Sequence, residues 1–297
     1  MRIVFRRGFQ VLVFLSFLFP TGLPLAAATV LAVSGPSTQS VGILIDPTQV
    51  VATAWSQSIG YSGVTDPNSD TLRALHRAHL YTVPFENLDI GLKRTIPCDA
   101  DAAVRKIVEQ RRGGFCYELN GAFAWLLRAL GFHVTLLSAR VGRADGSLGP
   151  EYDHLTLRVD LDQPWLADVG FGDSFLDPLR LQPGLEQEQG SERFRIVEAD
   201  SRLRIEKHSA QGWTLEYSFS PAPRELSEFA EMCRFHQTSP ESHFTRKRVC
   251  TLARRDGRST LSDLRLIETR GGKREERVLK TEDEWREVLR SEFGVEL

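Results

Sequence analysis

The chain has 297 residues, enough to bury a sizeable core as one large domain or two to three small ones. A hydrophobic fraction of 41% and a charged fraction of 26% belong to a soluble globular protein, not to a disordered or fibrous one. A formal net charge of −2 excludes nucleic-acid functions that need a strong basic surplus.

Residues 1–35 differ from the rest. Arg2, Arg6 and Arg7 precede the apolar run Val11 to Phe19, and Leu25-Ala26-Ala27-Ala28 offers small residues for cleavage. That is the pattern of a secretory signal or a membrane anchor. Ser34 to Ser40, rich in Ser, Gly and Pro, reads as a linker. From Pro47 to Leu130 the periodicity is helical. Leu72, Leu75 and His79 share one face, and Pro84 ends that helix. Asp99 can cap a second helix carrying Ala103 and Ile107, which runs to the loop Arg111-Arg112-Gly113-Gly114. A third helix opens at Cys116, with Leu119, Phe123, Leu126, Leu127 and Leu130 as one apolar stripe and Gly131 as its stop.

The period then changes to two. Phe132 to Val141 reads as a strand, Gly142 to Pro150 as a loop, and Leu155, Leu157, Val159 and Leu161 alternate with polar residues. Trp165 to Phe171 reads as another strand. Further strands are expected at residues 193–198, 203–207 and 213–218, with hairpin turns at Asp256-Gly257 and Gly271-Gly272. Thr281 and Glu284 form a capping box ahead of a last helix bearing Trp285, Val288 and Leu289. Helices followed by a β-rich body and a small mixed end make an α+β protein.

Four cysteines, Cys98, Cys116, Cys233 and Cys250, form no CxxC pair and imply at most one working thiol. Cys116 follows two glycines at a helix start, where tight backbone turns leave space over the thiol and unpaired amides favour a thiolate or an oxyanion. A nucleophilic cysteine needs a base and an orienting group. His154 lies on the polar face of its strand, which would expose the imidazole. Asp168 interrupts an apolar strand, where a carboxylate must be paired. A tight hairpin at Asp162-Gln163-Pro164 would set Asp168 opposite Arg158, so joining it to His154 needs a wider turn or an offset register. His76 with His79, and Cys233 with His236 and His243, lack the ligand sets of metal sites, and no metal is expected. Arg246-Lys247-Arg248 reads as a solvated run or a local anion site.

Four segments in order, Val83-Pro84-Phe85-Glu86-Asn87-Leu88, Arg112-Gly113-Gly114-Phe115-Cys116-Tyr117-Glu118, Asp168-Val169-Gly170-Phe171-Gly172 and Gln237 to Phe244, resemble arylamine N-acetyltransferases across residues 50–297. The resemblance implies a three-part fold: a helical bundle over residues 49–130, a β-barrel over 131–235 and an α/β lid over 236–297, behind a leader of residues 1–48. It implies a Cys-His-Asp triad of Cys116, His154 and Asp168, like that of transglutaminases and cysteine proteases. It also implies acetyl-CoA as co-substrate with no permanent cofactor, and an aryl amine, hydrazine or hydroxylamine as acceptor. Phe85 and Phe171 match acceptor-pocket positions; Gly172 and Thr238 match positions near the CoA entrance. Arg112 and Glu86 are expected to pair and fix the catalytic loop. The alternatives are an amide synthase on the same fold, a transglutaminase-like cysteine hydrolase, and a binding protein without turnover.

Acetyl-CoA is a cytoplasmic metabolite, and the resemblance begins only near Val50. Residues 1–48 are therefore expected to stand outside the working enzyme, as the product of a start codon placed too far upstream, with Val50 or Val51 as a non-AUG start. Amino-terminal sequencing of the native protein after cell fractionation should find a cytosolic chain starting near residue 50. A membrane-bound chain keeping Met1, or an exported one starting near Thr29, would establish the leader as a real signal or anchor.

Overall fold

Side chains that close the orphan amides of a first turn decide where the helices begin. The computed structural model describes residues 3–5, 9–11, 47–209 and 212–297. The chain divides into two units, Met1–Trp55 and Ser56–Leu297. In the first, β1 (Ile3–Phe5) and β2 (Phe9–Val11) pair antiparallel, and α1 (Pro47–Ser58) begins. The remainder of the signal-like leader, with most of its apolar run and the Leu25–Ala28 stretch, lies outside the described residues. No helix among the described residues is long and apolar enough to cross a membrane.

In the second unit, Asn68 Oδ1 accepts the Thr71 amide at 2.9 Å and opens α2 (Ser69–Thr82). Val83 ends it in extended backbone, as a residue before proline favours. After β3 (Phe85–Glu86) and α3 (Leu88–Gly91), Asp99 Oδ1 accepts the Ala102 amide at 2.8 Å and opens α4 (Ala100–Val108). The third expected helix is α5 (Cys116–Ala129), with Gly131 at φ +89° just past its end. It was expected to bury one stripe, yet only Arg128 along it is exposed. A helix apolar on nearly every side belongs in the middle of a core.

The strands β4 (His133–Val141), β5 (His154–Asp160), β6 (Pro164–Ala167), β7 (Leu179–Arg180), β8 (Glu186–Gln189), β9 (Glu192–Ala199), β10 (Arg202–Ser209) and β11 (Gly212–Arg224) form one antiparallel sheet. Their order is β7-β6-β5-β4-β11-β10-β9-β8, rolled over a core that includes Leu137, Leu166, Phe194, Ile205 and Phe219. The two edges are joined by side chains instead of a ladder. Gln187 exchanges bonds with the Arg180 amide and carbonyl at 2.8 and 3.1 Å. Gln189 takes the Leu176 and Asp177 amides at 2.9 Å and donates to the Asp177 carbonyl at 2.8 Å. Glutamine can do this because its amide carries both a donor and an acceptor.

Beyond the sheet, α6 (Ala230–Thr238) spans the junction of residues 235 and 236 where a lid was expected to begin. The strands β12 (Val249–Arg254), β13 (Gly257–Ser262), β14 (Arg265–Arg270) and β15 (Lys273–Val278) follow, and α7 (Glu282–Phe293) ends the fold. Gly271 and Gly272 turn the last hairpin at φ +55° and +79°, the left-handed pair that suits strand twist. Thr281 caps α7 as expected, while Glu284 reaches the Lys280 amide, one residue short of the box partner. The sheet order is β15-β14-β13-β12-β3, so a two-residue strand from the helical region completes it, with Phe85 opposite Thr251 and Glu86 opposite Cys250.

Between β3, α3, α4 and α5 lies a buried ionic cluster. Arg112 Nη2 is 2.7 Å from Glu86 Oε1 and 3.1 Å from Asp89 Oδ1, which confirms the expected Arg112–Glu86 pair. Lys106 Nζ lies 2.7 Å from both Asp89 Oδ2 and Glu118 Oε1. The carboxylates also close backbone donors: Glu86 Oε2 accepts the Leu88 amide at 2.7 Å, and Glu118 Oε2 the Phe115 amide at 3.1 Å. Three carboxylates share two buried cations, and the surplus falls on Glu118. Burial pushes its carboxyl up to about 7, against the pull of Lys106 and with the repulsion of Glu86. A folded value above the unfolded 4.5 means that the native state holds the proton longer. Its contribution to stability is complete below pH 4.5 and is lost as pH rises to 7, a swing of roughly 3 kcal/mol at most. Chemical denaturation across this window should therefore show a fall with pH that Glu118→Gln flattens. An equal slope in the variant would assign the surplus charge elsewhere.

Candidate active site

Cys116 is the first residue of α5, and the loop before it fits only because two side chains are missing. A Cβ on Gly113 would lie 1.8 Å from the Pro84 carbonyl oxygen, and one on Gly114 would lie 2.6 Å from Glu118 Oε2. Neither glycine has a left-handed φ; that conformation falls on Arg111, at +51°. The glycines thus serve close approach and not a tight turn, and they do not leave the thiol open. Cys116 is 4% exposed. Burial pushes its thiol well up, while the Leu155 and Tyr117 amides pull the other way. The nearby Asp153 and Asp168 charges add to the upward push.

The Leu155 amide belongs to β5, whose first residue is His154. The polar face expected for this strand is absent, and His154 is 2% exposed. Its Nε2 is 2.6 Å from Asp168 Oδ2. Burial favours the neutral acid at Asp168, but His154, Asn120 and the Gly170 amide outweigh it and hold the carboxyl below its usual range. With Nε2 committed to Asp168, Nδ1 is the ring nitrogen left for a thiol.

The register explains how His154 and Asp168 meet. Asp160 pairs with Pro164 and Leu157 with Ala167, so the turn spans Leu161 to Gln163. This offset puts Asp168 beside Thr156 instead of Arg158, diagonal to His154 on one face. The strand expected over Trp165–Phe171 ends at Ala167. Beyond it the amides leave the ladder for buried side chains. The Asp168 amide donates to His76 Nε2 at 3.1 Å, the Val169 amide to Asn120 Oδ1 at 2.9 Å, and the Gly170 amide to Asp168 Oδ1 at 3.0 Å. A Cβ on Gly170 would lie 2.8 Å from Cys116 Cα, so only glycine lets this segment lie against the start of α5.

Two supporting residues were absent from the sequence-based set. Asn120, one turn after Cys116, donates to Asp168 Oδ1 at 2.8 Å and to the Leu155 carbonyl at 2.6 Å. One amide thus joins the helix of Cys116 to the strands of His154 and Asp168. His76 donates from Nδ1 to the Leu176 carbonyl at 2.8 Å, which leaves Nε2 to accept from Asp168. Burial holds its pKa down, consistent with a neutral ring. Among the described residues no group of three or more His, Cys, Asp or Glu is placed to hold a metal ion.

The aromatic candidates flank this centre. Phe171 meets His154 edge-on at 5.2 Å and Tyr217 at 5.2 Å, and Tyr217 also packs on His154 at 5.1 Å. Gly172, at φ +94°, sits against the Phe85 ring. Phe85 packs on Phe244 at 6.1 Å, and Phe244 meets Phe115 edge-on at 6.0 Å. Thr238, at the end of α6, is exposed and bonds within its own helix to the Arg234 carbonyl at 2.9 Å. Of the basic run, Arg248 is paired with Glu282 at 2.8 Å. Arg246 and Lys247 line, with Asn87 and Phe244, a recess of about 120 Å³.

An N-acetyltransferase family profile matches residues 68–297. The arylamine N-acetyltransferase of Escherichia coli is 34% identical over 241 residues, covering 80% of this chain and 86% of that one. Proansamycin X synthase of Amycolatopsis mediterranei is 28% identical over 242 residues, 78% of this chain and 93% of that one. Among solved structures, the arylamine N-acetyltransferase of Mycobacterium marinum in complex with CoA superposes with a TM-score of 0.77 at 32% identity, over 82% of this chain and 92% of that one. Profile, sequence and fold agree over most of the chain, the part that builds the buried Cys116, the His154–Asp168 pair and the Asn120 that ties them: this protein belongs to the arylamine N-acetyltransferase family.

Proposed function

We propose that this protein moves the acetyl group of acetyl-CoA onto the nitrogen of small aromatic amines, hydrazines and hydroxylamines through an acetyl-Cys116 intermediate. The observation that carries the proposal is the 2.6 Å His154–Asp168 pair, on the strand whose Leu155 amide meets the buried Cys116 thiol. A buried thiol becomes a nucleophile when an internal base takes its proton.

His154 Nδ1 is that base. It takes the Cys116 proton, the sulfur attacks the thioester carbonyl, and His154 returns the proton to the departing sulfur so that CoA leaves as its thiol. One thioester replaces another, so the first step needs little driving force. An aryl amine is neutral at pH 7 and attacks the acetyl-cysteine directly. His154 takes the proton from nitrogen and gives it to the departing sulfur. An alkyl amine arrives as an ammonium ion and must first lose a proton, which disfavours it. Asp168 holds the ring orientation and offsets the imidazolium charge. Phe85 and Phe171 wall the acceptor side, and Gly172 and Thr238 lie toward CoA. In this reading residues 49–130 supply the nucleophile, 131–235 the base and its partner, and 236–297 a lid. Its acetyl donor is a cytoplasmic metabolite, which supports a cytoplasmic enzyme. The synthase at 28% identity supports a second reading, closure of a longer acyl chain onto an aryl amine by the same triad; the acyl donor separates the two.

Mixed with acetyl-CoA and no amine, the intact protein should gain one acetyl group, on the peptide holding Cys116. Label on Cys98, Cys233 or Cys250 would sink the assignment. Cys116→Ala should remove turnover, and Asp168→Asn should lower it by roughly 10²- to 10⁴-fold. Double-reciprocal plots for acetyl-CoA and an aminobenzoate should be parallel, whereas intersecting lines would mean direct transfer without an acyl-enzyme.

A further inference from the structure

The turn that delivers His154 is strained, and groups from three elements hold it. Tyr152 has φ +64°, a left-handed backbone that a tyrosine adopts only where its surroundings over-determine it. Its amide donates to Ser138 Oγ of β4 at 3.0 Å, and its carbonyl accepts the Tyr117 hydroxyl of α5 at 2.8 Å. Asp153 follows, with its carboxylate in the space where a Cβ on Gly149 would lie, 2.0 Å from Oδ2. The third holder is His236 of α6, whose side chain is 4% exposed. Its Nε2 lies 3.2 Å from Asp153 Oδ1, off the line of a straight hydrogen bond, and its Nδ1 is 3.1 Å from Ser242 Oγ.

Tyr117 comes from the helix of Cys116, and Ser138 from the strand paired with β5. His236 connects the turn to something else. Ser242 Oγ also accepts the Phe244 amide at 3.3 Å, and the Phe244 ring packs on Phe85, on Phe115 and on the His236 ring. On its other side the segment is pinned by Asn87, which donates to the Phe244 and Lys247 carbonyls at 3.1 and 2.7 Å and accepts the Val249 amide at 2.7 Å. Asn87 thus anchors the segment from β3, while Ser242 and His236 join it to Asp153.

We propose that His236 is a positioning residue which ties the Ser239–Phe244 segment to the turn ahead of His154, so that the seating of Phe244 sets the alignment of His154 with Cys116. The inference rests on the reading of Cys116 as nucleophile and His154 as base. An aromatic acceptor packing beside Phe85 and Phe244 would then reach the base through Ser242, His236 and Asp153.

The test compares single-turnover acetylation of Cys116 with its alkylation by iodoacetamide in wild type, His236→Ala, His236→Gln and Ser242→Ala. His236→Ala should slow both steps by roughly ten- to hundred-fold, as a small misplacement of a base does. Its half-saturating acetyl-CoA concentration should stay within about twofold, since ground-state binding is untouched. His236→Gln, which can still face Asp153 and Ser242, should recover most of the rate. Wild-type rates in His236→Ala, a loss confined to half-saturation, or no recovery with glutamine would each overturn the proposal. Should His236→Ala fail to fold, Ser242→Ala, which keeps the imidazole but cuts it from the segment, carries the test: slowing of both steps supports it and unchanged rates overturn it. A wild-type protein that acetyl-CoA does not acetylate would refute the acetyltransferase reading, while the alkylation rates would still decide the role of His236.

Discussion

The site depends on a buried ionic cluster that cannot be dismantled piecemeal. Lys106 and Arg112 each face more than one of Glu86, Asp89 and Glu118, and the carboxylates in turn hold the amides of Leu88 and Phe115. Buried charges of this kind add little net stability compared with a well-packed apolar core, yet removing one partner strands the others. Their effect is geometric. They lock the loop of Arg112 to Phe115 between β3 and α4, and Gly113 and Gly114 let that loop lie close enough to be locked. The position of Cys116 follows from that, since Phe115 is the residue on which α5 begins.

A second constraint operates on the opposite wall. Where β6 stops, three successive amides give up the sheet for His76, Asn120 and Asp168 itself. A chain leaving a ladder in the core must find such partners, because an unpaired buried amide costs more than an ordinary hydrogen bond returns. The departure lets the Asp168 carboxylate turn toward His154 instead of continuing along the sheet. Asn120 then fixes that wall to the helix of Cys116, so the nucleophile and the base pair are located by one amide side chain as well as by the fold around them.

Much of this was readable from residue order alone. Asp99 as a cap, Cys116 at a helix start, Gly131 as a stop and the hairpin at Gly271-Gly272 are local signals, and each stands where expected. His154 and Asp168 were visible as polar exceptions in apolar surroundings. What escaped was non-local. The exposure expected for His154 failed because α5 and the rolled sheet bury both faces of β5, which strand alternation cannot reveal. His76 and Asp168 are 92 residues apart, so their bond has no local trace. Asn120 did leave one: a carboxamide one turn beyond the thiol, on a helix of leucines, must have buried partners. Edge closure through Gln187 and Gln189 was hidden because a Glu-Gln-Glu-Gln run looks like a solvated one.

The pairing of β3 with β12 has a consequence for how the protein is made. Phe85 and Glu86, the second of them a member of the ionic cluster, find their strand partners at Thr251 and Cys250, and Asn87 finds its own at Phe244, Lys247 and Val249. During synthesis the helices that carry Cys116 leave the ribosome long before those partners exist. Until they arrive, one edge of the catalytic loop has no sheet to join, and closing so long a loop is slow. The nucleophile is therefore among the first parts of the site to be translated and among the last to be set in place.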